Sequence, residues 1–288
     1  MMGYILLLIN TCLNVGESVV VKTYSKRYGA GGMLMNAVIA LFATVFFLVT
    51  DTNGWNAPAE MIPLALLNSL LFASGYYSAY VAYTCGPYGL TRLVSSFSLL
   101  FSIVYGIAFL GEDASLLTYI GIGCILVAGF LINLGDKNVG SEASGVSVKW
   151  ILSVIVMVVS NGFIAVLTRM QQIRFDNTCS SEFNVISIGV SFLILTVIGL
   201  IIDHDKLSSV LKKGTLYGAI AGLFNGAKNF CSLIVYLYLP ISTVSPLGTG
   251  LGIIAAFLTA LLYYRERYNL RQMIGVALGT VAVIALTL

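Results

Sequence analysis

The chain has 288 residues, of which 58% are hydrophobic and 9% are charged, with a mean hydropathy of +0.95 and a net charge of +3. Soluble domains carry about 25% charged residues, so these values exclude an ordinary soluble fold and predict an integral membrane protein. The small net charge and the lack of a basic patch with interleaved aromatic residues exclude nucleic acid as a partner and leave the lipid bilayer.

The apolar residues form ten continuous runs, each close to the ~20 residues that a helix needs to cross a bilayer. Continuous runs predict helices, because the strands of a membrane barrel would alternate between apolar and polar residues. In chain order the predicted segments are 3–21, 31–50, 61–84, 88–110, 115–134, 149–168, 184–202, 215–239, 241–264 and 270–288. We therefore expect an all-α membrane protein with ten transmembrane helices.

The two halves of the chain resemble each other. Several residues recur in the same order at a slowly drifting offset: Tyr4 and Trp150, Gly16 and Gly162, Asp51 and Asp203, Pro87 and Pro240, Glu112 and Glu266. This pattern predicts a first five-helix repeat over 1–135, a polar linker over 136–148 and a second repeat over 149–288. Because five is odd, the second repeat enters from the opposite side, and such inverted repeats are common in secondary transporters.

The basic residues are distributed unevenly between the two predicted faces. One face carries Lys22, Lys26, Arg27, Lys137, Lys149, Lys206, Lys212, Lys213, Arg265, Arg267 and Arg271, whereas the other carries only Arg169 and Arg174. The positive-inside rule assigns the rich face to the cytoplasm and both termini to the outside. The short connections favour the plasma (inner) membrane of a prokaryote.

The end of the fourth segment and the fifth segment carry the clearest motif, Phe109-Leu110-Gly111-Glu112 followed by the glycine-containing helix around Gly121 and Gly129. This pattern resembles the EamA-type members of the drug/metabolite transporter superfamily. The resemblance implies a ten-helix bundle with a central cavity and alternating access, and it leaves the substrate open. It also implies cytoplasmic termini, contrary to the charge count.

Lys228 lies near the middle of the predicted eighth segment, with Asn225 and Asn229 close to it. An ionisable residue at this depth costs about 3 kcal/mol and is by default a functional candidate. One interpretation is a cationic contact for a substrate carboxylate or phosphate. The other is a lysine that pairs with backbone carbonyls or a polar neighbour and holds helices together.

Glu17 follows Asn10 and Asn14 along one stripe of the first segment, and Arg92 lies at a similar predicted depth in the fourth. Glu17 and Arg92 could form a salt bridge or a cytoplasmic gate. Alternatively, Glu17 is a proton-coupling carboxylate, an idea that a neighbouring arginine would weaken by stabilising its charged form.

Tyrosines form a stripe on the third segment at Tyr76, Tyr80 and Tyr83, with Tyr77 beside it. Their hydroxyl groups would lack partners in lipid, so we expect them to line an interior cavity, with packing inside the bundle or anchoring at the membrane interface as the alternatives. In the family that the chain resembles, segments 3 and 8 contribute to that cavity, and Tyr76 aligns with Asn229.

Glu112 and Glu266 end their helices where a negative charge opposes the helix dipole, so we expect them to pair with basic residues. Arg265, Arg267 and Arg271 are the candidates for Glu266. This role is structural.

The leading interpretation is a secondary active transporter of a small polar or amphipathic metabolite, such as an amino acid or a related carboxylate. The alternatives are an exporter of cationic or hydrophobic drugs that uses Glu17, an intramembrane enzyme, and a non-transporting membrane protein. Enzymatic residue constellations, cysteine or histidine clusters for a metal, and a phosphate-binding loop are all missing from the sequence. We therefore expect no catalysis, no metal and no cofactor.

Overall fold

A computed structural model describes residues 2–29, 31–51, 54–85, 91, 94–113, 115–134, 147–262 and 270–287. Among these residues the regular structure is entirely helical, which confirms the predicted all-α class. The long helices are α1 (Met2–Tyr28), α2 (Gly32–Thr50), α3 (Ile62–Cys85), α4 (Leu99–Leu110), α5 (Leu116–Leu134), α6 (Val148–Arg174), α7 (Ser180–Ile202), α8 (Thr215–Tyr238), α9 (Ile241–Leu262) and α10 (Leu270–Thr287).

Most of these helices suit a bilayer. Within the described ranges, seven helices are long and apolar enough to cross a membrane, namely α1, α2, α3, α6, α7, α8 and α9. The shorter helices α4, α5 and α10 are also apolar. The protein is therefore a multi-pass membrane protein.

The outer surface of the bundle carries large hydrophobic side chains, as lipid contact requires. Val49 and Phe109 are each 76% exposed and Leu116 is 75% exposed, values that would be costly in water but not among acyl chains. Inside, small residues let helices approach closely. A β-carbon at Gly222 of α8 would lie 2.6 Å from the carbonyl oxygen of Ile39 in α2, so glycine is needed at this crossing.

Helices from the two halves of the chain pack against one another. α1 contacts α8, α3 contacts α6, α2 contacts α7, α4 contacts α9, and α5 contacts α10. Two of these pairs run antiparallel, because carboxylates at the ends of α4 and α7 reach the beginnings of α9 and α2. The bundle interior is thus built from both halves, and residues far apart in sequence meet there.

One such carboxylate is Asp203, which is only 2% exposed and follows the last residue of α7. It accepts hydrogen bonds from the backbone N–H of Met33 (2.8 Å) and the hydroxyl of Tyr80 (3.3 Å), and it pairs with Lys206. Burial raises the pKa of Asp203, but the hydrogen bonds from Lys206 and Met33 outweigh burial and hold the pKa below its ordinary value. The charged carboxylate therefore fastens α2, α3 and α7 together.

Glu112 acts in the same way at α9. Its two oxygens accept the backbone N–H groups of Ile241 (3.0 Å) and Ser242 (2.9 Å), where the partial positive charge at the start of α9 favours an anion. The left-handed backbone of Gly111 (φ 64°) ends α4 and turns Glu112 toward this site.

We expected Glu112 to pair with a basic residue, but among the described residues it caps α9 instead, because the partial positive charge at the start of that helix attracts its carboxylate. Glu266, Arg265 and Arg267, for which the same pairing was expected, lie outside the described residues.

Replacing Glu112 with alanine should lower the free energy of unfolding by about 1–2 kcal/mol, the usual cost of losing a helix N-terminal cap. Thermal unfolding in detergent measures this difference. Asp113→Ala is the matched control, because Asp113 is an exposed neighbouring carboxylate. Equal melting temperatures for the two variants would contradict the capping role.

Candidate functional site

Two opposite charges meet near the middle of the bundle. The ammonium of Lys228, near the middle of α8, lies 2.7 Å from Oε2 of Glu17, near the middle of α1. Their side chains are 22% and 16% exposed. At this depth a single charge would be costly, and the partner offsets much of that cost.

Asparagines complete the surroundings of the ion pair. Asn225 donates its side-chain amide to Oε1 of Glu17 at 2.8 Å, and Asn229 donates to the side-chain oxygen of Asn225 at 3.0 Å. The oxygen of Asn14, an exposed residue on α1, accepts from Lys228 at 3.4 Å. Both oxygens of Glu17 are therefore occupied by donors from α8.

Asn10 holds α1 and α8 in register beneath the ion pair. Its side-chain amide donates to the carbonyl oxygen of Lys228 and to the hydroxyl oxygen of Ser232, both at 2.7 Å. Gly16 leaves room for the ring of Phe224 on the facing helix. These contacts fix the position of the Lys228 backbone, so the two charged side chains lose little conformational freedom when they pair.

Tyr76 brings α3 into the cluster. Its hydroxyl lies near Asn225 and interacts electrostatically with both Glu17 and Lys228. We name Asn14, Glu17, Tyr76, Asn225, Lys228 and Asn229 the central polar cluster. Three helices from both halves of the chain contribute to it.

The remaining residues named from the sequence lie elsewhere. Tyr80 binds Asp203, with the Lys206 ammonium 5.9 Å from the centre of its ring. Tyr77 is 39% exposed, and within the described residues no hydrogen bond or ring contact joins it to the cluster. Arg92 lies outside the described residues, so its pairing with Glu17 stays a prediction.

Glu17 also lies deeper than the predicted segment 3–21 implied. Helix α1 continues to Tyr28, so Glu17 is 11 residues from its end, about 16 Å along the helix axis. The polar residues after position 21 had suggested a loop, but the helix continues through them. Neither sequence interpretation of Lys228 anticipated a carboxylate partner.

A cavity of about 160 Å³ lies farther along α8, toward its C-terminal end. Apolar side chains of α8, including Phe230, Leu233 and Leu237, form one wall, and polar residues such as Gln172 and Ser180 form another. Phe230 follows Asn229 directly. The cavity lies on the side of the bundle where Asp51 ends α2, and none of the residues that line it belongs to the central polar cluster.

Comparison with models of known protein families finds one match. Residues 148–288 match the sequence model of the EamA-like transporter family. The second half of the chain is therefore similar to the EamA-like transporter family. The family lies within the drug/metabolite transporter superfamily, as the motif around Glu112 had predicted.

The fold comparison covers nearly the whole chain. A crystal structure described only as "Crystal structure of protein" covers 98% of each chain with a TM-score of 0.70 and 13% sequence identity. At this identity the likeness concerns the fold alone. No curated protein matches the sequence.

Similarity of the second half to this family points to a membrane transporter of the drug/metabolite type. Members of the family are transporters and not enzymes. The central polar cluster supplies charged and hydrogen-bonding groups near the middle of the bundle, which are the kinds of group that a transporter site needs.

The ion pair should contribute measurably to the free energy of unfolding. Lys228→Met leaves Glu17 buried without its cation, and Glu17→Gln leaves Lys228 without its anion, so each single variant should lose about 3–5 kcal/mol. The double variant should lose less than the sum of the two losses. Chemical or thermal unfolding in detergent measures this cycle.

The exchanged variant Glu17→Lys with Lys228→Glu is the control, because it keeps one charge of each sign at these positions. Additive losses in the double-mutant cycle would show that the two side chains do not interact.

Proposed function

We propose that this protein is a secondary active transporter of a small metabolite that carries a carboxylate, such as an amino acid, and that it works by alternating access. The single observation that carries the proposal is the mid-depth pair of Glu17 and Lys228 with its asparagine neighbours. The short connections favour a prokaryotic plasma membrane.

The proposed architecture has ten transmembrane helices in two inverted repeats, 1–135 and 149–288, joined by the linker 136–148. The pattern of helix contacts supports it. In the proposed repeats, α1 corresponds to α6 and α3 corresponds to α8. The contact of α1 with α8 should therefore have an equivalent between α6 and α3, and both contacts are present. The antiparallel pairing of α2 with α7 and of α4 with α9 is what an inverted pair of repeats requires.

The ion pair supplies one partner for each charge of an amino acid. Lys228 would bind the α-carboxylate and Glu17 the α-ammonium, so the zwitterion would insert between them and replace one ion pair by two. Asn14 and Asn225, which already bond to the pair, would donate to and accept from the same groups. Tyr76 would provide a face for the substrate side chain.

The same exchange offers a way to couple transport to protons. When a substrate carboxylate holds Lys228, Glu17 loses its strongest stabilising partner, and a substrate without an ammonium group would leave it to take up a proton. Transport of a simple carboxylate would then move a proton with it.

A cationic drug fits this geometry less well. Both oxygens of Glu17 already accept hydrogen bonds, one from Lys228 and one from Asn225. A drug cation would have to displace Lys228 and leave that ammonium unpaired in the bundle, without offering it an anion in return.

Uptake of radiolabelled amino acids and organic acids into proteoliposomes tests the proposal. Wild type should transport at least one carboxylate solute, and Lys228→Met and the exchanged variant should both lose at least 90% of that rate, since the exchange reverses the order of the charges. Arg174→Gln should keep most of the rate, because Arg174 is 59% exposed and lies outside the central polar cluster.

The exchanged variant separates binding from folding. If its melting temperature is close to that of wild type and its uptake is lost, the loss concerns the site. Uptake of a carboxylate at the wild-type rate by Lys228→Met would reject the proposal, as would uptake of cations alone by wild type.

A further inference from the structure

Arg169 was assigned to a loop from the sequence, but it lies within α6, which continues to Arg174. It shares a helix face with Gly162 and Val166, which are buried, at spacings of seven and three residues. A β-carbon at Gly162 would lie 2.6 Å from the ring of Phe101 in α4, so this face of α6 packs against the bundle and not against lipid. Arg169 therefore points toward protein.

Two tyrosines from other helices lie near the guanidinium. Arg169 interacts electrostatically with Tyr105 of α4 and with Tyr236 of α8, which is 9% exposed. Its Nε is buried and has no hydrogen-bond partner. Among the residues that the structure describes, no carboxylate lies within ion-pair distance of Arg169.

Arg174 on the same helix behaves differently. It is 59% exposed and lies 3.8 Å from Glu60, a pairing of little energetic value at a surface. A guanidinium inside a membrane bundle needs an anion or several acceptors to offset its insertion cost of about 2.5–3.5 kcal/mol. Arg169 is thus a cation held among tyrosines with its hydrogen-bonding capacity unfilled.

We propose that Arg169, flanked by Tyr105 and Tyr236, is a second binding site for the carboxylate of the transported solute. This inference rests on the proposed function. It proposes that the solute binds at Arg169 in a step that comes before or after its binding at Lys228. The planar guanidinium presents parallel N–H donors that match the two oxygens of a carboxylate, and the tyrosine hydroxyls can add further donors.

The position of the site along α8 fits a stepwise passage. Tyr236 follows Lys228 by eight residues, about 12 Å along the helix, with Ser232 halfway between them. These residues lie four apart and so follow one stripe of α8.

Arg169→Gln removes the charge and keeps most of the side-chain length, and Arg169→Lys keeps the charge but loses the paired donors. For carboxylate uptake into proteoliposomes, we expect Arg169→Gln to raise KM about ten-fold or more, and Arg169→Lys to raise it by less. Arg174→Gln, the matched control, should leave KM within about two-fold of wild type. Competition by the amide of the same solute gives a second readout, because wild type should prefer the acid and Arg169→Gln should lose part of that preference.

The outcomes separate this inference from the proposed function. If wild type prefers the carboxylate and Lys228→Met loses it, but Arg169→Gln matches Arg174→Gln in KM and in acid preference, the Arg169 site is rejected and the transporter proposal stands. If wild type shows no carboxylate uptake, both are rejected. If Arg169→Gln cannot be reconstituted, an unchanged KM in Arg169→Lys overturns the paired-donor contact.

Discussion

A charge in the hydrocarbon interior is stable only when other groups replace the water that it has lost. Glu17 and Lys228 meet this requirement for each other, 2.7 Å apart, and Asn225 adds a second donor to Glu17. The requirement constrains the rest of the bundle, because α1 and α8 must stay in contact at one register for the pair to exist. Asn10 and Gly16 maintain that contact on either side of the charges. In the proposed function, a solute that offers both charges would exchange with the pair at little electrostatic cost.

The pairing of helices across the two halves explains why these charges can meet. α1 and α8 belong to different halves, as do α3 and α6. At the helix ends, Glu112 and Asp203 tie the start of one helix in each half to the end of a helix in the other. The polar interactions thus lie at the ends and at the centre, and apolar and small residues fill the layers between them.

Much of the fold could be predicted from hydropathy, because the bilayer imposes both the length and the apolar character of a spanning helix. The family could be predicted from the Leu110-Gly111-Glu112 motif, whose structural reason is now visible in the turn at Gly111 and the cap on α9. The boundaries were harder. Polar residues after position 21 and after position 168 suggested loops, whereas α1 and α6 continue through them to Tyr28 and Arg174. This error placed Glu17 too near an end and Arg169 outside the bundle.

The individual site residues could be identified from the sequence, but their partners could not. Lys228 and Glu17 each stood out as an ionisable residue in an apolar run, yet periodicity within a helix says nothing about which other helix it faces. The tyrosine stripe shows the same limit, because Tyr76 joins the central polar cluster whereas Tyr80 binds Asp203. Only the packing of α3 distinguishes the two.

Ligand-induced stabilisation of the purified protein tests the central claim most directly, because a solute that binds the folded state raises the melting temperature by mass action. The account predicts that amino acids or related carboxylates raise the melting temperature of wild type, and that the variant with Glu17 and Lys228 exchanged shows no such rise although it is folded. Stabilisation by cationic drugs alone, or an equal rise in the exchanged variant, would contradict the claim that this ion pair is where the solute binds.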